Sequence, residues 1–204
     1  EDLTKVPFTI KDEWRDAQIK DPPFGKLLGV PLSKVANIHA STGTTGEPTY
    51  FAYTHEDIEL LAEQFARAYW AWGFRSGDVA FLPIDTWHAV CASHHRGFHL
   101  IGAEVVPSTF SLEERMVMRN LKLIEGIRPN VFLTGSAYYI HLARVAKDKG
   151  INLAKFTSGC LAGTAGEVAT PTSRRLIQEL WGFRGIFYYY AQAEGRVVGY
   201  ECCE

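Results

Sequence analysis

The run His39-Ala40-Ser41-Thr42-Gly43-Thr44-Thr45-Gly46-Glu47-Pro48-Thr49-Tyr50 has the residue types of an anion grip. The side chains of Ser41, Thr42, Thr44 and Thr45 can each donate a hydrogen bond to a phosphate oxygen. Gly43 and Gly46 permit positive φ, so successive backbone N–H groups can turn to one side. A Walker loop needs Gly-Lys-Ser/Thr opening a helix, and a dinucleotide fingerprint needs three glycines at that entry; neither spacing occurs here. Thr49-Tyr50-Phe51-Ala52-Tyr53 follows instead, so the loop joins strand to strand and the helix comes later. By composition alone the run reads as an ordinary surface turn.

Its order carries more. Ser-Thr-Gly-Thr-Thr-Gly-x-Pro-Thr resembles the phosphate loop of the adenylate-forming (acyl-CoA synthetase-like) superfamily, and within it the phenylacetate-CoA ligases. Pro23-Phe24-Gly25, the stretch Val35 to Ser41, and Gly77-Asp78-Val79 extend the resemblance over nearly the whole chain. It implies an AMP-forming ligase that activates an aryl or acyl carboxylate with ATP and passes it to coenzyme A, with Mg²⁺ as cofactor. Residues Ser41, Thr42, Gly43, Thr44, Thr45 and Gly46 would then hold the ATP phosphates. Ala165, Gly166 and Glu167 would border the adenine, joined by Tyr189, Tyr190 and Ala191 from the Tyr188-Tyr189-Tyr190-Ala191-Gln192-Ala193-Glu194 signature. The resemblance makes Glu194 the catalytic Mg²⁺ ligand, and lines the acyl pocket with Trp87, His88 and His95. It also lets Cys202 begin a structural Zn²⁺ site whose other ligands lie further on, and leaves a homodimer open.

Physical chemistry agrees with the types. A hard dication takes carboxylate and phosphate oxygens, so Glu194 opposite the hydroxyl loop is suited to MgATP. A strand ending in small residues lets a flat ring approach the backbone, while Glu167 could accept a hydrogen bond or simply cap a helix. Five positions depart from the family pattern: Ala191 replaces a glycine, Ala193 a hydroxyl expected at the α-phosphate, Glu47 a frequent lysine, and Trp87 and His88 smaller residues, which reshapes the acyl pocket. A lost donor to developing charge is costly, so a homologue that binds nucleotide or acyl ligand without turnover is the rival reading.

His88, His94, His95 and His99 crowd one segment, with His95 and His99 a helical turn apart. No glutamate stands between that pair as in a zinc protease and no third ligand is evident, so a metal-binding module is a weak third reading. Adjacent Cys202 and Cys203 rarely both bind one zinc, and reduced thiols are expected at all four cysteines. A net charge of -2 with no basic stripe argues against nucleic acid as partner. No apolar run long enough for a membrane span and no signal-peptide pattern occur, which gives a cytoplasmic expectation. A start without Met and a stop at Cys202-Cys203-Glu204 suggest a fragment lacking the C-terminal lid domain, which carries the family's catalytic lysine; the piece alone would adenylate poorly.

The elements that must position these residues follow from periodicity. Residues 1–34 read as a wrapping segment with an amphipathic turn at Asp12 to Ile19, and residues 35–204 as a nucleotide-binding α/β domain. Strands are expected at Val35 to Ala40, Thr49 to Tyr53, Val79 to Ile84, Glu104 to Pro107, Asn130 to Thr134, Gly159 to Ala162 and Gly185 to Tyr190. A helix capped by Thr54 with Asp57 places Ile58, Leu61, Phe65, Ala68, Tyr69 and Trp72 on one face and stops at Gly73. Further helices run to Ile101, from about Leu112 to Glu125 behind a Ser111 and Glu114 capping pair, from Ala137 to Lys149, and from Pro171 to Trp181 behind Thr170. This alternation predicts a mostly parallel sheet with helices on both faces and ligands beyond the strands' carboxyl ends.

Overall fold

A computed structural model describes residues 3–41, 48–86, 88, 90–193 and 196–203. In chain order its elements are α1 (Lys11–Lys20), β1 (Val35–Ala40), β2 (Tyr50–Thr54), α2 (His55–Ala71), β3 (Val79–Pro83), α3 (Cys91–Leu100), β4 (Glu104–Ser108), α4 (Glu114–Ile127), β5 (Val131–Leu133), α5 (Ser136–Asp148), α6 (Ala154–Thr157), β6 (Leu161–Thr164), α7 (Pro171–Trp181), β7 (Gly185–Gln192) and β8 (Arg196–Tyr200). Strands β1 and β2 form a separate antiparallel pair; the main sheet has the order β4-β3-β5-β6-β7-β8. Strands β3 to β7 pair in parallel, and only β8 runs antiparallel, against β7.

Helices cover both faces of this sheet, and each face has its own apolar core. Phe65 and Tyr69 of α2 and Trp72 at its C-cap pack with Phe98 of α3 and with Leu82 and Leu133 on one side. On the other, Leu121 of α4, Leu142 of α5 and Trp181 of α7 close over Phe81, Phe132 and Ile186. Period-2 alternation explains the division, since neighbouring strand residues such as Phe81 and Leu82 face opposite ways.

The expected stripe of α2 is buried from Leu61 to Trp72, with Ile58 half-buried, and its capping pair is present: the Thr54 hydroxyl accepts from the Asp57 N–H at 3.1 Å, and the Asp57 carboxylate from the Thr54 N–H at 2.9 Å. Gly73, at φ +90°, ends the helix as expected. The α4 start differs. Its N-cap is Glu113, while Ser111 Oγ accepts from the Glu113 N–H just outside the helix at 3.2 Å, and Glu114 pairs across the surface with Lys149 at the C-cap of α5. Strand β8 was not expected from the pattern; it pairs antiparallel with β7, with an irregularity between Tyr190 and Ala191.

The first segment packs on the small sheet. The Gln18 side-chain amide accepts from the Tyr50 N–H and donates to the Tyr50 carbonyl, both at 2.8 Å, so one side chain satisfies a strand edge as a neighbouring backbone would. Trp14 lies 5.9 Å from Phe51 between ring centres. Among the described residues no helix is long and apolar enough to cross a membrane, and all four cysteines are free thiols.

One glycine sets how closely α2 sits on the sheet. A Cβ on Gly163 of β6 would overlap the Trp72 ring, and would also lie 3.0 Å from Leu133. Both neighbours are buried and hemmed in, so neither can retreat. Gly163→Ala is expected to cost about 1–3 kcal/mol of stability by overpacking, read as a lower midpoint in urea unfolding; an unchanged midpoint would show that α2 does not depend on this approach.

Candidate functional site

Beyond the carboxyl ends of β3, β5, β6 and β7 lies a cavity of about 290 Å³. It occupies the position where parallel sheets bind ligands. Pro83, Ile84 and Asp85 enter from the end of β3, Leu133 to Gly135 from β5, Ala165 and Gly166 from β6, and Tyr189 from β7. The small pair after β6 leaves the space open, and Gly166 holds a left-handed φ of +84° there. Phe110 supplies a further wall. It rests on Tyr138, at 4.4 Å between ring centres, and Asn120 secures the turn by donating to the Thr109 carbonyl and the Tyr138 hydroxyl, both at 3.0 Å.

His88 and Val90 line the rim and His94 the inner end. His94 lines this cavity, and His95, which the resemblance assigns to an acyl pocket, is not among its lining. Successive helical residues are rotated by about 100°, and α3 turns His94, Gly97 and Phe98 toward α2, leaving His95 partly exposed and His99 exposed. Gly97 fixes that face: a Cβ there would lie 3.0 Å from both the Ala62 carbonyl oxygen and Phe65 Cβ.

His94 is wholly buried and stacks on Phe65 at 3.9 Å. Its Nδ1 meets the Tyr69 hydroxyl, and its Nε2 meets the Tyr189 hydroxyl at 2.9 Å. Burial pushes its pKa well below the ordinary imidazole value, and the nearby His88 and His95 push the same way, so the ring is neutral in the folded protein. At the rim, loss of water and the neighbouring His39 lower the His88 pKa against the opposing charge of Asp85. Burial likewise raises Tyr189 and Tyr69, which remain protonated hydroxyls. The chain of three polar rings had no distinct sequence signal: Tyr69 belongs to the apolar stripe of α2, and His94 is one of an adjacent pair.

Glu167 acts as a cap. Its Oε1 accepts from the Ala137 N–H at 2.6 Å, in the first turn of α5, whereas α7 is capped by Thr170 accepting from Ser173 N–H at 3.1 Å. Glu167 is therefore a neighbour of the cavity rather than part of its lining. Arg174 of α7 donates to Glu201 Oε2 at 2.7 Å, and the same oxygen accepts from the Tyr188 N–H at 2.9 Å. Burial raises the Glu201 pKa, but the Arg174 hydrogen bond, the Tyr188 N–H and the guanidinium charge outweigh it and leave the carboxylate below its ordinary value. This pair pins the residues after β8 to β7. The Cys203 N–H donates to the Ala71 carbonyl at 3.0 Å, while Cys202 and Cys203 are both exposed. Among the described residues no group of three or more His, Cys, Asp or Glu side chains is placed to hold a metal ion.

Thr42 to Glu47, Trp87 and Glu194 lie outside the described residues. The residues that flank them are placed. Ser41 and Thr49 close the neck of the hydroxyl loop by two bonds, Ser41 N–H to the Thr49 carbonyl at 2.8 Å and Thr49 N–H to Ser41 Oγ at 2.9 Å. Ser41 shares a surface cleft with Thr86, which directly follows the cavity residue Asp85. Tyr53 of β2 donates its hydroxyl to the carbonyl of Ala193 at 2.8 Å, joining the small sheet to the end of β7. Of the tyrosine triplet, Tyr189 faces the cavity while Tyr190 is exposed and Ala191 packs at the edge of the α2 core. Strand alternation sends Tyr189 and Tyr190 to opposite faces.

Comparison with known proteins gives these placements a context. The chain is 33% identical over 208 residues to a phenylacetate-coenzyme A ligase of Thermus thermophilus, and 31% identical over 209 residues to one of Pseudomonas putida. Both alignments cover all of this chain, but only 44% and 45% of the relatives' length. An open conformation of 2-hydroxyisobutyryl-CoA ligase, in complex with 2-HIB-AMP and CoA, superimposes with a TM-score of 0.85 at 26% identity, over 94% of this chain and 44% of that one. The fold is that of the adenylate-forming ligases. No protein-family model matches the chain. In this context the cavity and the Tyr53–Ala193 tie belong to a ligase-like architecture, of which the chain spans a little under half.

His94 gives a pH dependence with a definite sign. The unfolded chain binds a proton near the ordinary imidazole pKa of about 6.5, whereas the folded ring resists it. Protons therefore bind preferentially to the unfolded state below that pH, and stability falls as pH is lowered through it. The slope attributable to this group reaches about 1.4 kcal/mol per pH unit. Urea unfolding of wild type and His94→Gln between pH 7 and pH 5 checks it: the wild type is expected to lose stability more steeply, and parallel slopes would contradict a neutral buried His94.

Proposed function

We propose that the chain is the nucleotide- and acid-binding part of an AMP-forming CoA ligase acting on aryl or acyl carboxylates, with residues 1–34 as a wrapping segment and 35–204 as the binding domain. The observation that carries this reading is the cavity at the strand ends, walled by Tyr189 and flanked by the Ser41–Thr49 neck and the Tyr53–Ala193 tie. In this reading the acid lies in the cavity between Phe110, Leu133 and Ala165. Ser41, Thr42, Gly43, Thr44, Thr45 and Gly46 bind the phosphates. The adenine lies along Ala165 and Gly166 toward Tyr190 and Ala191, and Tyr189 bounds the acid side. Glu167 supports that wall through α5. His88 at the rim separates acid from nucleotide, and Trp87 is adjacent in sequence.

The donor chemistry suits magnesium: Glu194 supplies a hard carboxylate oxygen, and the loop supplies hydroxyls and backbone N–H groups for phosphate. Mg²⁺ would neutralise phosphate charge. The reaction then has two transfers. The acid's carboxylate oxygen bonds to the α-phosphorus of ATP with pyrophosphate leaving, and the thiol of CoA subsequently bonds to the acyl carbon with AMP leaving. The chain's own contribution is positioning and exclusion of water, the larger part of catalysis in phosphoryl chemistry.

Ala193 favours one rival, a protein that binds nucleotide and acid without turnover, because no side-chain hydroxyl stands next to Glu194 to meet developing charge. Pyrophosphate release by the full-length protein with MgATP and a panel of aryl acids separates the two. Acid-dependent release is expected, and Glu194→Gln should reduce it by roughly two orders of magnitude, the scale of a lost charge-stabilising group. MgATP binding in calorimetry with no release for any acid would overturn the ligase reading in favour of the rival.

A further inference from the structure

Three buried aromatic side chains form a line that ends in the cavity: Tyr69 of α2, His94 of α3 and Tyr189 of β7. A neutral imidazole has one donor nitrogen and one acceptor nitrogen, so the two tyrosine hydroxyls cannot play the same part. If Tyr189 donated to Nε2, then Nδ1–H would donate to Tyr69, whose own proton would need another acceptor. Tyr69 is wholly buried, and among the described residues its hydroxyl meets no partner except His94. That arrangement leaves a buried donor unmet, which folded proteins avoid.

The opposite direction satisfies Tyr69 and both ring nitrogens, and leaves the spare donor on the member that lines the cavity. The Tyr69 hydroxyl donates to Nδ1, Nε2–H donates to the Tyr189 oxygen at 2.9 Å, and the Tyr189 proton is left over. Tyr189 is the member of the trio whose ring lines the cavity together with His94, and among the described residues its hydroxyl has no second partner. Burial, which holds His94 neutral, keeps the relay in this state across the ordinary pH range.

We infer that Tyr189 is the specificity-determining donor of the cavity: its hydroxyl, turned outward by His94 and Tyr69, hydrogen-bonds an acceptor oxygen on the acid, so the preferred substrates are compact carboxylic acids that bear a second oxygen. The size fits. A dry cavity of about 150 Å³ holds a benzene, and about 290 Å³ leaves space for a ring, its carboxylate arm and one substituent. Ile84, Val90, Phe110 and Leu133 make the wall around it largely apolar, with Asp85, His88 and Thr134 as the other polar side chains, so a donor set among apolar groups fixes orientation. Tyr69 does not line the cavity and is a positioning residue. The inference rests on the ligase reading for its substrate class, but its geometry stands apart from turnover.

The test is calorimetric titration of the full-length protein with phenylacetate and with ortho-, meta- and para-hydroxyphenylacetate, beside Tyr189→Phe and Tyr69→Phe. Wild type is expected to bind at least one hydroxy acid about tenfold or more tightly than phenylacetate. Tyr189→Phe should bring that ratio to about one, and Tyr69→Phe should lower it severalfold although the residue lies behind His94. A wild-type ratio near one for all three isomers, or a ratio kept by Tyr189→Phe, overturns the assignment. A ratio lost in Tyr189→Phe but kept in Tyr69→Phe overturns the relay. Pyrophosphate release measured in parallel keeps the two readings apart. Preference in binding without release for any acid sinks the ligase reading and leaves Tyr189 standing, whereas release without preference does the reverse.

Discussion

Tyr53 donates its hydroxyl to the carbonyl of Ala193 at 2.8 Å, across a gap that no strand pairing bridges. Among the described residues the small β1–β2 sheet shares no ladder with the main sheet, so its position depends on side chains such as this one and on α2, which follows β2 directly. The bond lands beside Glu194, and Tyr53 lies only a few residues beyond the neck that Ser41 and Thr49 close. One phenol thereby ties the strand that leaves the Ser41–Thr49 neck to the end of β7. Tyr53 is itself buried, so water competes weakly for the carbonyl.

The remaining architecture keeps that arrangement firm. Gly163 lets Trp72 lie against the sheet, Gly97 lets α3 lie against α2, and the two approaches bring Tyr69 and His94 within hydrogen-bonding reach of each other and of Tyr189. On the opposite face, Asn120 and Tyr138 hold the turn that carries Phe110. Small residues mark where elements approach and large ones where they stop, and the cavity is the volume left beyond Ala165 and Gly166. A polar relay inside an aromatic core is stable when its deeply buried groups, here the Tyr69 hydroxyl and both nitrogens of His94, find partners.

Much of this was legible in the residues, and the failures have physical causes. The apolar runs of β3, β5 and β6 and the Thr54–Asp57 cap are local signals, and local signals survive folding. Ser111 and Glu114 have the spacing of a cap, but Glu114 finds Lys149 on a neighbouring helix, a partner no local pattern contains. Strand β8 escaped notice because its residues exist as a strand only by pairing with β7. His94 and His95 differ in role through a single helical step, decided by Gly97 and the surface of α2. Tyr189 and Tyr190 are likewise separated by strand alternation, which becomes readable only once the buried face is known. Glu167 caps as residue chemistry allowed, though on a helix distant in sequence.

In the proposed reading the residues after Ser41 and those after Ala193 meet on one magnesium nucleotide, with the acid beside them under Tyr189. A crystal structure of the full-length protein with MgATP and an aryl acid measures this directly. The account predicts Thr44 and Glu194 on the same triphosphate and its metal, with the acid in the cavity between Phe110 and Ala165. A nucleotide bound elsewhere, or Thr44 and Glu194 facing away from one another across the molecule, would contradict it.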